Sequence, residues 1–255
     1  MDTAAADPKP SVVEKLNLRW LHRLLTSSIG RKFVMGLTGL GLCGFLVVHL
    51  AGNLLLYAGP ESFDRYAHAL HEQEWLPLAE AGLFALFLLH IYLAFVTAAE
   101  NRAARHTGYA LKQSKRRDLV WEWPAHNWMF LSGAVVLGFL ILHLVDMKFE
   151  ARPDVDYAGK GPYAVTVSVL RNPYSAAVYL LGTAILGFHL AHGFASAFQS
   201  LGLSHPKYTP LIKSFGYVFA VVIAAGFFSL PLSAWVLPHM AAAVQVERGD
   251  AAPTP

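Results

Sequence analysis

The sequence predicts an all-α integral membrane protein with five transmembrane helices, and two observations support this fold class. Of the 255 residues, 55% are apolar and only 15% are charged, whereas a soluble domain carries about 25% charged residues. Five separate stretches are also apolar over the roughly 17–25 residues that a helix needs to cross the hydrocarbon core. This composition excludes a disordered chain, and the net charge of +3 gives no reason to expect nucleic-acid binding.

The predicted spans contain one formal charge, Glu80, close to the start of the second span. The single cysteine, Cys43, excludes a disulfide framework, a cysteine-ligated iron–sulfur cluster and a Cys-x-x-Cys-His haem attachment within this chain. We expect a cytoplasmic segment over residues 1–27, a membrane domain over 28–240 and a flexible tail over 241–255. The five predicted spans are residues 33–57, 76–98, 128–145, 176–198 and 215–237.

Lysine and arginine residues in the connections predict the orientation, because cytoplasmic loops carry an excess of both. Fourteen of them lie before the first span or in the second and fourth connections, and six lie on the opposite side. We therefore expect the amino terminus in the cytoplasm and the carboxy terminus outside.

Histidine is the most informative residue type inside the predicted spans. A polar side chain in hydrocarbon is costly and usually faces a partner or a cavity. A hydrogen-bonded packing role explains a single such histidine equally well, whereas a histidine in each of four consecutive spans indicates a shared role. The histidines within the spans are His49, His90, His143, His189 and His192.

Depth sorts four of these histidines into two pairs, because a helix rises about 1.5 Å per residue. The first and third spans run outward and place His49 and His143 toward their outer ends. The second and fourth spans run inward and place His90 and His189 roughly 20 Å below the outer surface. His49 and His143 thus form an outer pair, and His90 and His189 an inner pair.

Two histidine pairs at two depths suit two b-type haems, each held by two imidazoles in the core of a bundle formed by the first four helices. Zinc fits less well, since no carboxylate or thiol accompanies the histidines at this depth. Glycines near these histidines would give a macrocycle room, and close helix packing explains each glycine equally well. His192 shares a face with His189, so the residues alone leave the choice of ligand between them open.

Short motifs surround the histidines. They read Val-His-Leu-Ala-Gly-Asn at 48–53, Leu-His-Ile-Tyr at 89–92, Asn-Trp-Met-Phe at 127–130, Leu-His-Leu at 142–144 and Phe-His-Leu-Ala-His-Gly-Phe at 188–194. With these motifs the chain resembles, from about residue 28 to 237, the diheme cytochrome b anchor subunit of succinate dehydrogenase and fumarate reductase, in its single-chain five-helix form. In that family the fourth-span ligand stands four residues before a glycine, which implies His189 and leaves His192 as the alternative or a supporting residue.

The resemblance implies a subunit that binds no dicarboxylate itself. It would anchor a flavoprotein subunit carrying FAD and an iron–sulfur subunit to the cytoplasmic face of a bacterial inner membrane. Electrons would pass between the iron–sulfur clusters and a quinone, menaquinone for this family type, through two haem b groups. The basic residues Arg31, Lys32 and those of 102–117 suit docking of the partner subunits, and the positive-inside bias explains them as well.

The first outer connection supplies the candidate quinone-site residues His71, Glu72 and Glu74. In the family an acidic residue near this point is associated with quinone chemistry, and solvated loop residues explain the same pattern. Some fumarate-reducing members carry a glutamate two residues before the fourth-span ligand, linked to transmembrane proton movement. Gly187 occupies that position here, which argues against such coupling.

Two other functions are open at this point. One is the cytochrome b anchor of a nitrate reductase, hydrogenase or formate dehydrogenase, against which the motifs at 127–130 and 188–194 argue. The other is a haem-free transporter, although five spans do not divide into equal halves and the spans are nearly free of charge. The sequence sets no physiological direction, because succinate oxidation and fumarate reduction use the same electron path.

Overall fold

The computed structural model describes residues 20, 26–104, 125–155, 157–238 and 240, and this part of the chain contains helices and no strand. Five of the helices are long and apolar enough to cross a membrane, which confirms the predicted number of spans. The basic connection at 105–124 and most of both predicted terminal segments lie outside the described residues. The spanning helices are α1 Ser28–Asn53, α3 Leu76–Ala103, α4 Ala125–Met147, α6 Pro173–Ser200 and α7 Thr209–Val236, and the shorter helices are α2 Pro60–His71 and α5 Pro162–Arg171.

Helix ends differ from the predicted boundaries, because capping groups as well as hydropathy decide where a helix begins and ends. Ser27 Oγ caps α1 by accepting a hydrogen bond from the backbone N–H of Gly30 at 3.0 Å. Asn172 caps α6 in the same way. The difference with the largest consequence is at the end of α4. The predicted span stops at residue 145, whereas the helix continues to Met147 and includes Asp146.

Four of the spanning helices form a bundle. α1 packs against α3 and α6, and α4 packs against α6. α3 and α4 meet through an edge-to-face contact between Phe95 and Phe130, with 5.5 Å between ring centroids. α7 packs along α6 and also contacts α1. Large apolar side chains such as Leu88 and Phe188 are exposed on the outside of the bundle, as in helices that face lipid.

The two short helices, which the sequence analysis treated only as connections, lie at the end of the bundle where α1 and α4 terminate. Asp64 of α2 accepts a hydrogen bond from the backbone N–H of Tyr163, in the first turn of α5, at 2.7 Å. α5 is largely buried, and Val167 and Val169 contribute to the core. This layer fixes the positions of the segments next to the outer histidine pair.

Glu80, the charge noted within the second predicted span, forms an ion pair with Lys148 at 2.5 Å. Both side chains are partly exposed. The contact joins the start of α3 to the end of α4 and accounts for this charge without a role in a buried site.

Candidate functional site

His49 of α1 and His143 of α4 lie next to each other inside the bundle. Their ring centroids are 5.8 Å apart and the ring planes are inclined at 77°. Phe45 stacks on His49 with 5.1 Å between centroids, and Phe227 packs on the same imidazole at 5.6 Å. Phe139 packs against His143 at 5.9 Å. The structure therefore brings the two histidines of the outer pair together between aromatic side chains.

Hydrogen bonds orient the two outer histidines to different degrees. The Tyr179 hydroxyl lies 3.3 Å from His143 Nδ1 and also bonds to Asp146. A carboxylate only accepts, so the phenol donates to Asp146 and accepts from the Nδ1–H of His143, which leaves the lone pair on Nε2. His49 Nδ1 lies 3.5 Å from the Asn53 amide, which donates to the His49 carbonyl at 2.8 Å.

The inner histidines each contact a hydroxyl group on a neighbouring helix. Thr38 Oγ1 lies 3.1 Å from His90 Nδ1, and Ser132 Oγ lies 3.1 Å from His189 Nδ1. Each hydroxyl also donates its proton to the carbonyl three residues earlier in its own helix, at 3.0 Å for Thr38 and 3.2 Å for Ser132. The hydroxyls must therefore accept from Nδ1–H, and Nε2 carries the lone pair in both imidazoles.

These two hydroxyls belong to a short motif that occurs twice. Residues 35–39 read Met-Gly-Leu-Thr-Gly and residues 129–133 read Met-Phe-Leu-Ser-Gly. His49 follows the first motif and His143 follows the second at the same spacing. α1 and α4 therefore each supply one outer histidine and one hydroxyl for an inner histidine, an internal similarity that the sequence analysis missed.

The glycine that ends each motif gives an inner imidazole room. A Cβ at Gly39 would lie 3.4 Å from His90 Cε1, and one at Gly133 would lie 3.3 Å from His189 Cε1. Gly187, in contrast, faces α7, where a Cβ would lie 2.7 Å from a methyl group. Gly39 and Gly133 therefore leave room for an imidazole, whereas Gly187 allows α6 and α7 to pack closely.

The two histidine pairs lie at separate depths. His49 is about 16 Å farther along α1 than Thr38, which contacts the inner site, at 1.5 Å per residue. His143 is likewise about 16 Å farther along α4 than Ser132. The same offset on both helices places the two sites one above the other within a hydrocarbon core about 30 Å thick.

His192, the alternative inner ligand, is half-buried and forms no side-chain hydrogen bond with the described residues. It interacts electrostatically with His189, as does His90. Of the two histidines, His189 is the one oriented by a hydroxyl on α4, and this favours His189 for the ligand position.

The candidate quinone-site residues are exposed and have no described contact with the outer pair. His71, Glu72 and Glu74 are exposed at the end of α2 and in the turn that follows. His71 Nδ1 bonds to the carbonyl of Ala67 in its own helix at 2.7 Å. Among the described contacts, none joins these three residues to His49 or His143.

A buried acidic residue that the sequence did not single out, Asp146, lies beside the outer pair. Asp146 is 2% exposed and lies 3.3 Å from Arg152 Nη1. Arg152 also bonds to Ser175 and to both carboxylate oxygens of Asp154. One signal was available in the sequence, since Asp146 stands three residues after His143 and therefore shares its helix face.

Two buried polar atoms lie toward the inner end of α1 and α3. Arg31 forms an ion pair with Glu100, while its Nε is buried and has no partner among the described residues. Thr97 Oγ1, one turn before Glu100, is also buried and has no hydrogen-bond partner among the described residues. Unpaired buried donors are costly, and both would be satisfied by an anionic group such as a haem propionate.

The arrangement fits haem better than a metal ion bound by protein groups alone. The described residues contain no group of three or more His, Cys, Asp or Glu side chains that could hold a metal ion. The rings of His49 and His143 lie close together, with 5.8 Å between their centroids, so both could contribute to one site. Paired histidines suit an iron whose other ligands come from a macrocycle.

Comparison of this chain with protein-family models, with characterised proteins and with solved structures finds no match.

Proposed function

We propose that this chain is the membrane-anchor and electron-transfer subunit of a succinate:quinone oxidoreductase. Its two histidine pairs would hold two b-type haems, and the chain would link an iron–sulfur subunit to a quinone, of the menaquinone type. The observation that carries the proposal is the contact of His49 with His143, together with the hydroxyl contacts of His90 and His189 about 16 Å away along α1 and α4. In three of them, His90, His143 and His189, the hydrogen-bonded Nδ1 leaves Nε2 free to bind iron.

The residues of this chain have defined tasks in the proposed function. His49 with His143 would hold the outer haem, and His90 with His189 the inner one. The haems, when bound, supply one-electron redox chemistry at two depths of the membrane. The aromatic side chains around the outer pair exclude water, and the hydroxyls of the inner pair keep both imidazoles in the tautomer that binds a metal.

The proposed partners are a flavoprotein subunit with FAD and an iron–sulfur subunit, docked on the cytoplasmic side of a bacterial inner membrane. Support comes from the resemblance of the histidine motifs and from the excess of Lys and Arg on that side. Succinate oxidation or fumarate reduction would take place on the partner subunits, and this chain would provide the quinone-reactive end.

A reduced-minus-oxidised absorption spectrum of the purified chain, with haem counted as pyridine haemochrome, tests the cofactor. We expect two low-spin b haems per chain and the loss of one in each of His49→Ala, His90→Ala, His143→Ala and His189→Ala. His192→Ala is the matched control and should keep both. A folded but colourless protein would refute the proposal and favour the transporter.

A second experiment tests the partners. Affinity purification of the chain from its native membrane should also recover flavin and iron–sulfur absorbance, and succinate should reduce the haems. Reduction by formate or hydrogen in place of succinate would instead assign the chain to another quinone-linked enzyme.

A further inference from the structure

The outer pair is connected to a charged network that has no counterpart among the contacts described for the inner pair. The network consists of His143, Tyr179, Asp146, Arg152 and Asp154, and we refer to it as the outer network. It runs from His143 Nδ1 through the Tyr179 hydroxyl to Asp146, and from there through Arg152 to Asp154, whose side chain is 49% exposed.

Arg152 is shared unequally between the two carboxylates of the outer network, and Asp154 receives the closer contacts. Arg152 donates to both carboxylate oxygens of Asp154 and makes one longer contact, at 3.3 Å, with Asp146. The hydrogen bonds that Arg152 donates to Asp154, followed by the charges of Asp146 and Asp154, raise the pKa of Arg152, and Arg152 in turn holds the pKa of Asp154 below its usual range. The network holds two carboxylates and one guanidinium, and Asp146 is the carboxylate that interacts with Tyr179.

The inner histidines face neutral groups at the same position. Thr38 and Ser132 accept from the Nδ1–H of His90 and His189, and both hydroxyls are engaged with helix carbonyls. A carboxylate behind a metal-binding imidazole increases the basicity of the ligand, and a neutral hydroxyl does so less. The two haem sites therefore differ in the group behind the histidine.

We propose that Tyr179 and Asp146 act as positioning residues for His143, making it a stronger electron donor to the outer haem and lowering the reduction potential of that haem relative to the inner one. This inference rests on the proposed function. Tyr179 transmits the effect of Asp146, because the carboxylate reaches the imidazole through the phenol. Residues of this chain would thereby give the two haems different reduction potentials.

Tyr179→Phe tests the inference by redox titration of the purified diheme chain. We expect the ratio of reduced to oxidised outer haem at a fixed potential to rise about tenfold, which corresponds to about 59 mV for one electron. The inner haem should titrate unchanged, and the His49→Ala variant identifies which spectral signal belongs to the outer haem. Asp146→Asn should shift the outer haem in the same direction.

The matched control is Tyr163→Phe, which removes another buried phenol hydroxyl, one with no partner in the described residues. It should leave both titrations unchanged. The double variant with Tyr179→Phe and Asp146→Asn should match Tyr179→Phe alone, because Asp146 acts through the tyrosine.

Three results would overturn the inference: an unchanged outer haem in Tyr179→Phe, an equal shift of both haems, or an equal shift in Tyr163→Phe. These failures are distinct from failure of the proposed function. In the latter case the wild-type chain carries no haem and there is nothing to titrate.

Discussion

The inner and outer histidine pairs present the same imidazole side chains in different surroundings. His90 and His189 each depend on one neutral hydroxyl, delivered by the repeated motif of α1 and α4. His49 and His143 lie between aromatic rings, and His143 is backed by a buried carboxylate through a tyrosine. In the proposed function the imidazoles would define where a cofactor binds, whereas the groups behind them would make the two sites differ.

The largest expected effect tests the pairing itself. The double variant His49→Ala/His143→Ala should lose one haem, as either single variant does, because both residues serve the same site. His49→Ala/His90→Ala should lose both haems. Haem counting by pyridine haemochrome in folded, monodisperse protein distinguishes the two cases. Loss of both haems in the first double variant, or of only one in the second, would mean that the pairs are assigned wrongly.

A bulky residue in the repeated motif should damage the inner site selectively. Because a Cβ at Gly133 would already lie 3.3 Å from His189 Cε1, Gly133→Val should displace the imidazole and remove the inner haem, while the outer haem stays. The spectrum of the variant, compared with that of His49→Ala, shows which haem is left.

Gly82→Ala is the matched control for this variant, since a Cβ there meets nothing within 4 Å. It should keep both haems and stabilise α3 by about 0.5–1 kcal/mol. Retention of both haems in Gly133→Val would show that the glycine is not needed for imidazole clearance.

Loss of one hydroxyl should weaken the inner site without abolishing it. Thr38→Val keeps the shape of the side chain and removes the hydroxyl that accepts from His90 Nδ1–H, which should lower haem affinity about 10–100-fold at the inner site. Haem transfer to apomyoglobin measures the loss. Thr38→Ser should retain haem as the wild type does. Thr166 is a buried threonine bonded only within its own helix, so Thr166→Val should have no effect. Equal release from both sites would contradict the expected selectivity.

The smallest effect concerns the outer network at the surface. Arg152 lowers the pKa of Asp154, so the ionised carboxylate stabilises the fold above the unfolded-state pKa of about 3.9, and this contribution is lost as the pH falls through the lower folded-state pKa. Asp154→Asn should therefore lower the melting temperature slightly at pH 7, and the difference from wild type should shrink at pH 3. A difference of the same size at both pH values would assign the effect to packing.

The sequence alone determined the helical membrane fold and the positions of the histidines. Apolar composition and span length give five spans, because a helix is the simplest way to satisfy backbone hydrogen bonds in lipid. Sorting the histidines by depth needs only the helical rise, and the structure places the ring centroids of His49 and His143 5.8 Å apart.

Only the tertiary structure decided what stands behind each histidine. Thr38 meets His90 and Tyr179 meets His143 across helix interfaces, and no sequence period specifies which faces of two helices meet. Asp146 was not predicted for a related reason. The span predicted from hydropathy stops one residue before it, and only the packing of the helices shows that its carboxylate is buried. Hydrophobicity is a property of each residue and can be summed along the chain, whereas a hydrogen bond between helices depends on the distance and orientation of two groups in space.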